Sequence, residues 1–192
     1  MDPDLVSTNK LTSDTIFSFI NEAIDKFYKT RYSGLNTHKT GFEQTQKRID
    51  DLRTLVVTET YDSDAIATTG NGKYIIDLPY DYVLLLGDTA GIIPTETNIC
   101  WEKDKMTDQY VIKKADTIEA TIETIDKQLN NSLSEHNLKY CEARPLRLIQ
   151  GNEIQLFTDG KYEVTEYTLT YLSQPQKINP SNITNDEYTG LP

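Results

Sequence analysis

The chain is poor in the residues that most chemistry needs. It has two histidines, His38 and His136, two cysteines, Cys100 and Cys141, and one tryptophan. Two cysteines so far apart fit neither a CxxC motif nor a metal-ligand spacing, and both are expected reduced and structural. No run approaches the roughly 20 apolar residues that a membrane-spanning helix requires, so no membrane partner is expected. The first residues, MDPDLVSTNK, lack the basic start and apolar run of a signal peptide. Bases are scarce as well: 19 Lys and Arg against 30 Asp and Glu give a net charge of −11. Nucleic-acid binders gain affinity by neutralising phosphates. No basic cluster of that kind is found, and the acidic balance suits plain solubility, a protein partner or a wall past which DNA slides.

What is present is tyrosine, twelve against five Phe, a residue suited to half-wet sheets and interfaces. With 192 residues, 37% of them hydrophobic, the chain can build one compact domain with an appendage. Residues 1–10 read as an N-terminal arm. Thr12 and Ser13 offer N-caps, and Ile16, Phe17, Ile20, Ala23, Ile24, Phe27 and Tyr28 recur at helical spacing up to about Arg31. Ser33-Gly34 stops that helix. A second helical pattern, Phe42, Ile49, Leu52 and Val56, runs to about Val57, so residues 11–58 are expected to form a helical hairpin.

From residue 59 to 172 the texture becomes that of a mainly antiparallel β domain. KYIIDLP at 73–79 and YVLLLGDTAGI at 82–92 read as strands, the second central or buried on both faces. Ile99 to Trp101 and Gln109 to Lys113 are weaker strand candidates. Ile118, Ile122, Ile125 and Leu129 have helical spacing, although frequent Thr makes a strand leading into a helix equally compatible; a helix near 118–131 is expected. Between Arg144 and Leu172, Gly151-Asn152 and Asp159-Gly160 separate three runs that predict a three-stranded antiparallel meander. Residues 173–192 read as an extended tail. The fold class expected is thus α+β: an N-terminal helical hairpin, an antiparallel sheet or sandwich domain, and extended terminal arms.

No catalytic constellation emerges. Ser134, Glu135 and His136 are adjacent in sequence, whereas a triad's members must converge from separate elements. TTGNGK at 68–73 lacks the spacing of a phosphate-binding loop and the Ser or Thr after Lys. Asp62-Ser63-Asp64 lacks the remainder of a calcium loop. Pairs such as Asp50-Asp51 or Glu163-Glu166 show no sequence reason for shifted pKa values. No cofactor and no metal are expected, and the chain is expected not to be an enzyme.

The order NNSLSEHNLKYCEARPLRL, two tight turns, then YTLTYLSQPQKI resembles the virion connector proteins of short-tailed phages, especially the ring proteins beneath the portal of crAss-like phages. A motif YxLxYLxxPxxI matches Tyr167, Leu169, Tyr171, Leu172, Pro175 and Ile178, and LPYDYVLLLG at 78–87 is similar to a strand entry of that group; the likeness covers roughly residues 74–180. It implies a homo-oligomeric ring, twelvefold, stacked on the portal protein and continued by further ring or tail proteins. DNA would be only passing cargo, and the chain, made in the host cytoplasm, would reside in the virion. The family would be expected to continue with a further helix where this chain stops at Leu191-Pro192. Asp2, Pro3 and Leu5 in the first arm, and Tyr171, Pro175, Ile178, Ile183 and Tyr188 towards the second, are the interface residues expected to clasp neighbours. Two rival readings are an exposed β-rich fibre-attachment or receptor-binding module of the virion, and a cell-wall hydrolase. The first would need trimeric shaft sequence or a carbohydrate-type aromatic cluster, and the second a convergent carboxylate or His constellation; neither pattern is found.

Overall fold

A computed structural model describes residues 12–32, 50–70, 72–96, 101–139 and 141–178. The described chain is α+β and falls into two compact units. One comprises residues 1–55 with 174–192, and the other residues 56–173.

In the first unit, α1 runs Ser13–Tyr32. Thr12 starts it as expected: its carbonyl accepts from the Ile16 N–H at 3.1 Å, and its hydroxyl from the Thr15 N–H at 3.4 Å. Tyr28 is buried, and Arg31 pairs with Asp51 at 3.3 Å. After residue 173 the chain returns to this unit, where Asn21 grips the backbone of Ile178 twice. Its Nδ2 donates to the Ile178 carbonyl at 2.9 Å and its Oδ1 accepts from the Ile178 N–H at 2.8 Å. The second helix of the expected hairpin is corrected at its end. Residues 50–52 are helical, Arg53–Leu55 make one 3-10 turn, and Val56 and Val57 already belong to a strand. Two adjacent β-branched valines favour the pleated surface over a helix. The rest of that expected helix lies outside the described residues, as does the arm 1–10.

The second unit holds two sheets. One has the order β1-β9-β4-β5, formed by Val56–Asp62, Tyr162–Ser173, Tyr82–Pro94 and Lys113–Asp116, all antiparallel. The other has the order β2-β3-β8-β7-β6, formed by Ala67–Thr68, Lys73–Asp77, Glu153–Phe157, Leu146–Gln150 and Ile118–Glu119, with only β6 and β7 parallel. One core cluster joins Tyr74, Ile76, Ile154 and Leu156 of the second sheet to Ile92, Tyr162, Val164, Tyr167, Leu169 and Tyr171 of the first. The sheets therefore form a sandwich. A single helical turn, α2 (Ile125–Leu129), follows β6, so the expected helix near 118–131 shrinks to its second half.

The expected meander is corrected. β7 and β8 do form a hairpin, with Gln150 opposite Glu153 and Gly151 at φ 64°, as a two-residue turn with glycine first requires. β9 does not join them: it crosses to the other sheet and lies between β1 and β4. The Asp159-Gly160 turn is thus an arch between sheets. The Asp159 carboxylate ties that arch down, accepting from the Leu138 N–H at 2.8 Å and the Lys161 N–H at 3.0 Å.

β9 also breaks the simple alternation. Tyr162 and Val164 are buried, and then the phase flips to Tyr167, Leu169 and Tyr171. The pairing with β4 jumps from Gly91–Glu166 to Ile92–Val164, leaving Thr165 as the extra residue of a β-bulge. Gly91 sits opposite the bulge because nothing larger fits: a Cβ there would lie 2.8 Å from Ile112 Cγ2 and 2.9 Å from Glu166 Cβ. Gly91→Ala is therefore expected to destabilise the domain by about 1–3 kcal/mol through overpacking. Gly87→Ala, where a Cβ meets open space, should leave stability within about 0.5 kcal/mol. Urea unfolding curves of the two variants measure the difference.

Candidate functional site

The most concentrated polar chemistry in the described residues lies between the sheets. Asp88 stands in β4, between the apolar runs YVLLL and IIP. One carboxylate oxygen accepts from Arg147 Nη1 of β7 at 2.5 Å, and the other from Tyr167 Oη of β9 at 2.8 Å and from Thr117 Oγ1 at 2.5 Å. The side chains of Arg147 and Asp88 keep only 10% and 6% of their exposure. A buried carboxylate survives only when its lone pairs are satisfied by strong donors, and three meet that need here. Arg147 Nη2 lies 3.9 Å from Glu119, while its Nε has no hydrogen-bond partner. Outside Arg147 opens a cleft of about 510 Å³ lined also by Glu119, Ile122, Glu123, Leu148 and Ile149. Two of its lining groups are carboxylates, and the guanidinium at its edge is already neutralised.

A second network surrounds Glu59. Tyr61 donates to its Oε2 at 2.8 Å, and the Tyr171 hydroxyl lies 3.2 Å from its Oε1 and 3.1 Å from Asp81 Oδ1. Burial is the first cause that raises the Tyr61, Tyr167 and Tyr171 pKa values, and the neighbouring carboxylates add to it. Burial likewise raises Tyr74, Tyr82 and Tyr162. The Tyr61, Tyr167 and Tyr171 hydroxyls are donors locked onto acids, which leaves those carboxylates occupied as acceptors. That is the chemistry of a structural tie, since a general base must reach a substrate proton.

His136 is 2% exposed, and its carbonyl accepts from the Tyr162 hydroxyl at 2.8 Å. Burial lowers its pKa, opposed in part by Asp159. It is a core residue and does not meet Ser134 or Glu135 as a triad would. Among the described residues, no group of three or more His, Cys, Asp or Glu could hold a metal ion. Cys141 is disulfide-bonded, correcting the expectation that it is reduced; Cys100, the other cysteine of the sequence, lies outside the described residues. No helix among the described residues is long and apolar enough to cross a membrane.

The expected interface residues do not converge. Tyr171 is 1% exposed and committed to the core, so its ring cannot clasp a neighbour. Pro175 and Ile178 are half-buried, and Ile178 is held by Asn21 of the same chain. Asp2, Pro3, Leu5, Ile183 and Tyr188 lie outside the described residues. Asp88 and Arg147 carry the site that sequence reasoning missed. The available signal was a single acid inside the longest apolar run and a single base inside LRLIQ at 146–150. No protein-family model matches this chain, and no curated protein matches it.

Two outcomes follow for solution work. Asp88→Ala strands a buried guanidinium and is expected to cost about 3–5 kcal/mol, while the double variant Asp88→Ala, Arg147→Met recovers part of that loss. Chemical denaturation of the two singles and the double gives the coupling. The raised tyrosines bind their protons in the folded state when unfolded tyrosines, near the ordinary value of 10.0, have lost theirs. Stability is therefore complete below pH 10 and falls as pH rises beyond it. An absorbance titration should count fewer ionising hydroxyls before alkaline unfolding than after it.

Proposed function

We propose that the chain is a non-enzymatic structural subunit of a tailed-phage particle, forming a ring between the portal and the tail. The reading is supported by where the resemblance falls. Tyr167, Leu169, Tyr171 and Leu172 of the YxLxYLxxPxxI motif are buried in β9, the strand flanked by β1 and β4. Pro175 and Ile178 continue that strand into the segment held by Asn21. The shared residues are thus those that organise the fold, as expected of proteins alike in architecture.

The physics suits such a role. Identical subunits placed head to tail close into a ring when the rotation per subunit is right, and a ring multiplies modest contacts through effective concentration. A net charge of −11 repels DNA phosphates, which favours a conduit through which the genome passes without being held. The partners are then further copies, twelve in the full ring, with the portal on one side and ring or tail proteins on the other. The site of action is the virion. Ile178 is engaged by Asn21 of its own chain, so clasping of neighbours falls to the arm 1–10 and to 179–192.

Negative-stain imaging of the purified chain, alone and mixed with its cognate portal, tests the proposal. Ring-shaped averages, or a new layer on the portal, are expected. Compact single particles that ignore the portal would overturn it.

A further inference from the structure

The two sheets end differently at their edges. Among the described residues, β2 and β6, which close the second sheet, have two residues each and form short edges. The first sheet ends on β1, whose seven residues pair with β9 from Val56 opposite Leu172 to Asp62 opposite Glu166 without a shift. No strand lies on its other side among the described residues, and its sequence VVTETYD holds no Pro, Lys or Gly. Proteins blunt exposed edges with Pro, Lys, bulges or very short strands, and β1 uses none of these. The opposite end of the same sheet is β5, four residues long, where Arg144 Nε donates to the Asp116 carbonyl at 3.4 Å.

We propose that β5 of one copy pairs with β1 of the next, so that this sheet runs unbroken around the ring. The proposal rests on the ring reading and names its contact. Topology supplies the first argument. The order β1-β9-β4-β5 is antiparallel throughout, so its four strands leave β1 and β5 running in opposite directions. Neighbours in a ring are related by rotation, head to tail, and a small rotation preserves strand sense. β5 therefore meets the next β1 antiparallel and the alternation continues, whereas an odd number of strands would force a parallel junction.

Side chains supply the second argument. In β1, Val57, Glu59 and Tyr61 are half-buried while Thr58, Thr60 and Asp62 are exposed. In β5, Lys113 and Ala115 are half-buried while Lys114 and Asp116 are exposed. Val57, Tyr61 and Ala115 pack on one core cluster. Setting Ala115 opposite Val57 of the next copy keeps the inward side chains on one face and extends that core across the junction. Lys113 then stands opposite Glu59, and Lys114 opposite Thr58; opposite charges directly across a ladder attract. Lys113 already lies over the Trp101 ring at 4.4 Å, and Glu59 already accepts from Tyr61. Neither contact exhausts its group, since an ammonium has three donors and a carboxylate about four lone-pair sites. A slip of two residues would set Ala115 against the Glu59 carboxylate. Two β1 strands paired over all seven residues would set Glu59 against Glu59. The dimensions agree: four strands about 4.8 Å apart give about 19 Å per copy, and twelve copies close a ring about 70 Å across, wide enough for DNA to pass.

Thiol cross-linking of the chain mixed with its cognate portal, followed by negative-stain imaging, tests the contact. Thr58 and Lys114 are exposed, so the double variant Thr58→Cys, Lys114→Cys should keep the natural unfolding midpoint. A short bismaleimide, which spares the disulfide of Cys141, should then give rings and a denatured ladder of multiples of 21.9 kDa. Thr58→Cys alone should stay monomeric on the gel, and an equimolar mixture of the two single variants should stop at the dimer. If the midpoint falls, the neighbouring pair Val56→Cys, Asp116→Cys repeats the test. Rings without a ladder overturn the edge contact and leave the ring reading standing. A ladder on open fibres overturns the ring reading and upholds the edge contact. Single particles without a ladder overturn both. A dimer from Thr58→Cys alone would place β1 against β1 and contradict the proposal.

Discussion

A single buried carboxylate sets the terms for the β domain. The Asp88 carboxylate lies between two sheets, where its oxygens need donors, and those donors come from separate strands: Arg147 from β7, Tyr167 from β9, with Thr117 just before β6. Hydrophobic burial brings the sheets together but does not fix their sliding, because apolar contacts are non-directional. The hydrogen bonds to Asp88 are directional, and Arg147 and Asp88 belong to different sheets. Such buried pairs contribute little net stability relative to apolar substitutes. Their effect here is to penalise every alignment of the sheets that leaves a charge unpaired.

The same constraint explains the character of β9. It must present Tyr167 to Asp88, and further along Tyr171 to Glu59 and Asp81. It must also place Tyr162 under His136. Tyr162 and Tyr167 differ in parity, so a strand of strict period two cannot bury both rings on one face. The bulge at Thr165 changes the phase between them, and Gly91 on β4 leaves it room. Tyrosine supplies the packed ring and the donor hydroxyl in one residue, which accounts for its abundance in this chain.

The helix start at Thr12, the strands at 73–77 and 82–94 and the Gly151-Asn152 hairpin were legible because each follows from local chemistry: a cap, a period, a turn residue with positive φ. The destination of β9 was not. An Asp-Gly turn has the same local signature whether the next strand folds back or crosses to another sheet, and only the paired register distinguishes them. The bulge was hidden for a similar reason, since alternation read from either end of 162–173 looks regular. Val56 and Val57 were drawn into a helical pattern by the spacing of Leu52 and Val56, and β-branching decided against it. Asp88 and Arg147 stood out in composition, but 59 residues separate them, and no local rule pairs positions at that distance. Tyr171, read as a clasp on its motif, is a core ring.

Internal polar ties of this kind make for a rigid sandwich, which suits the particle subunit proposed above. Native-state hydrogen exchange tests the rigidity most directly. If Asp88 locks the sheets into one cooperative body, the slowest amides of β7 and β9 open with the same free energy, and in Asp88→Ala the two sets separate. Sheets that already exchange with different opening free energies in the natural sequence would contradict the account.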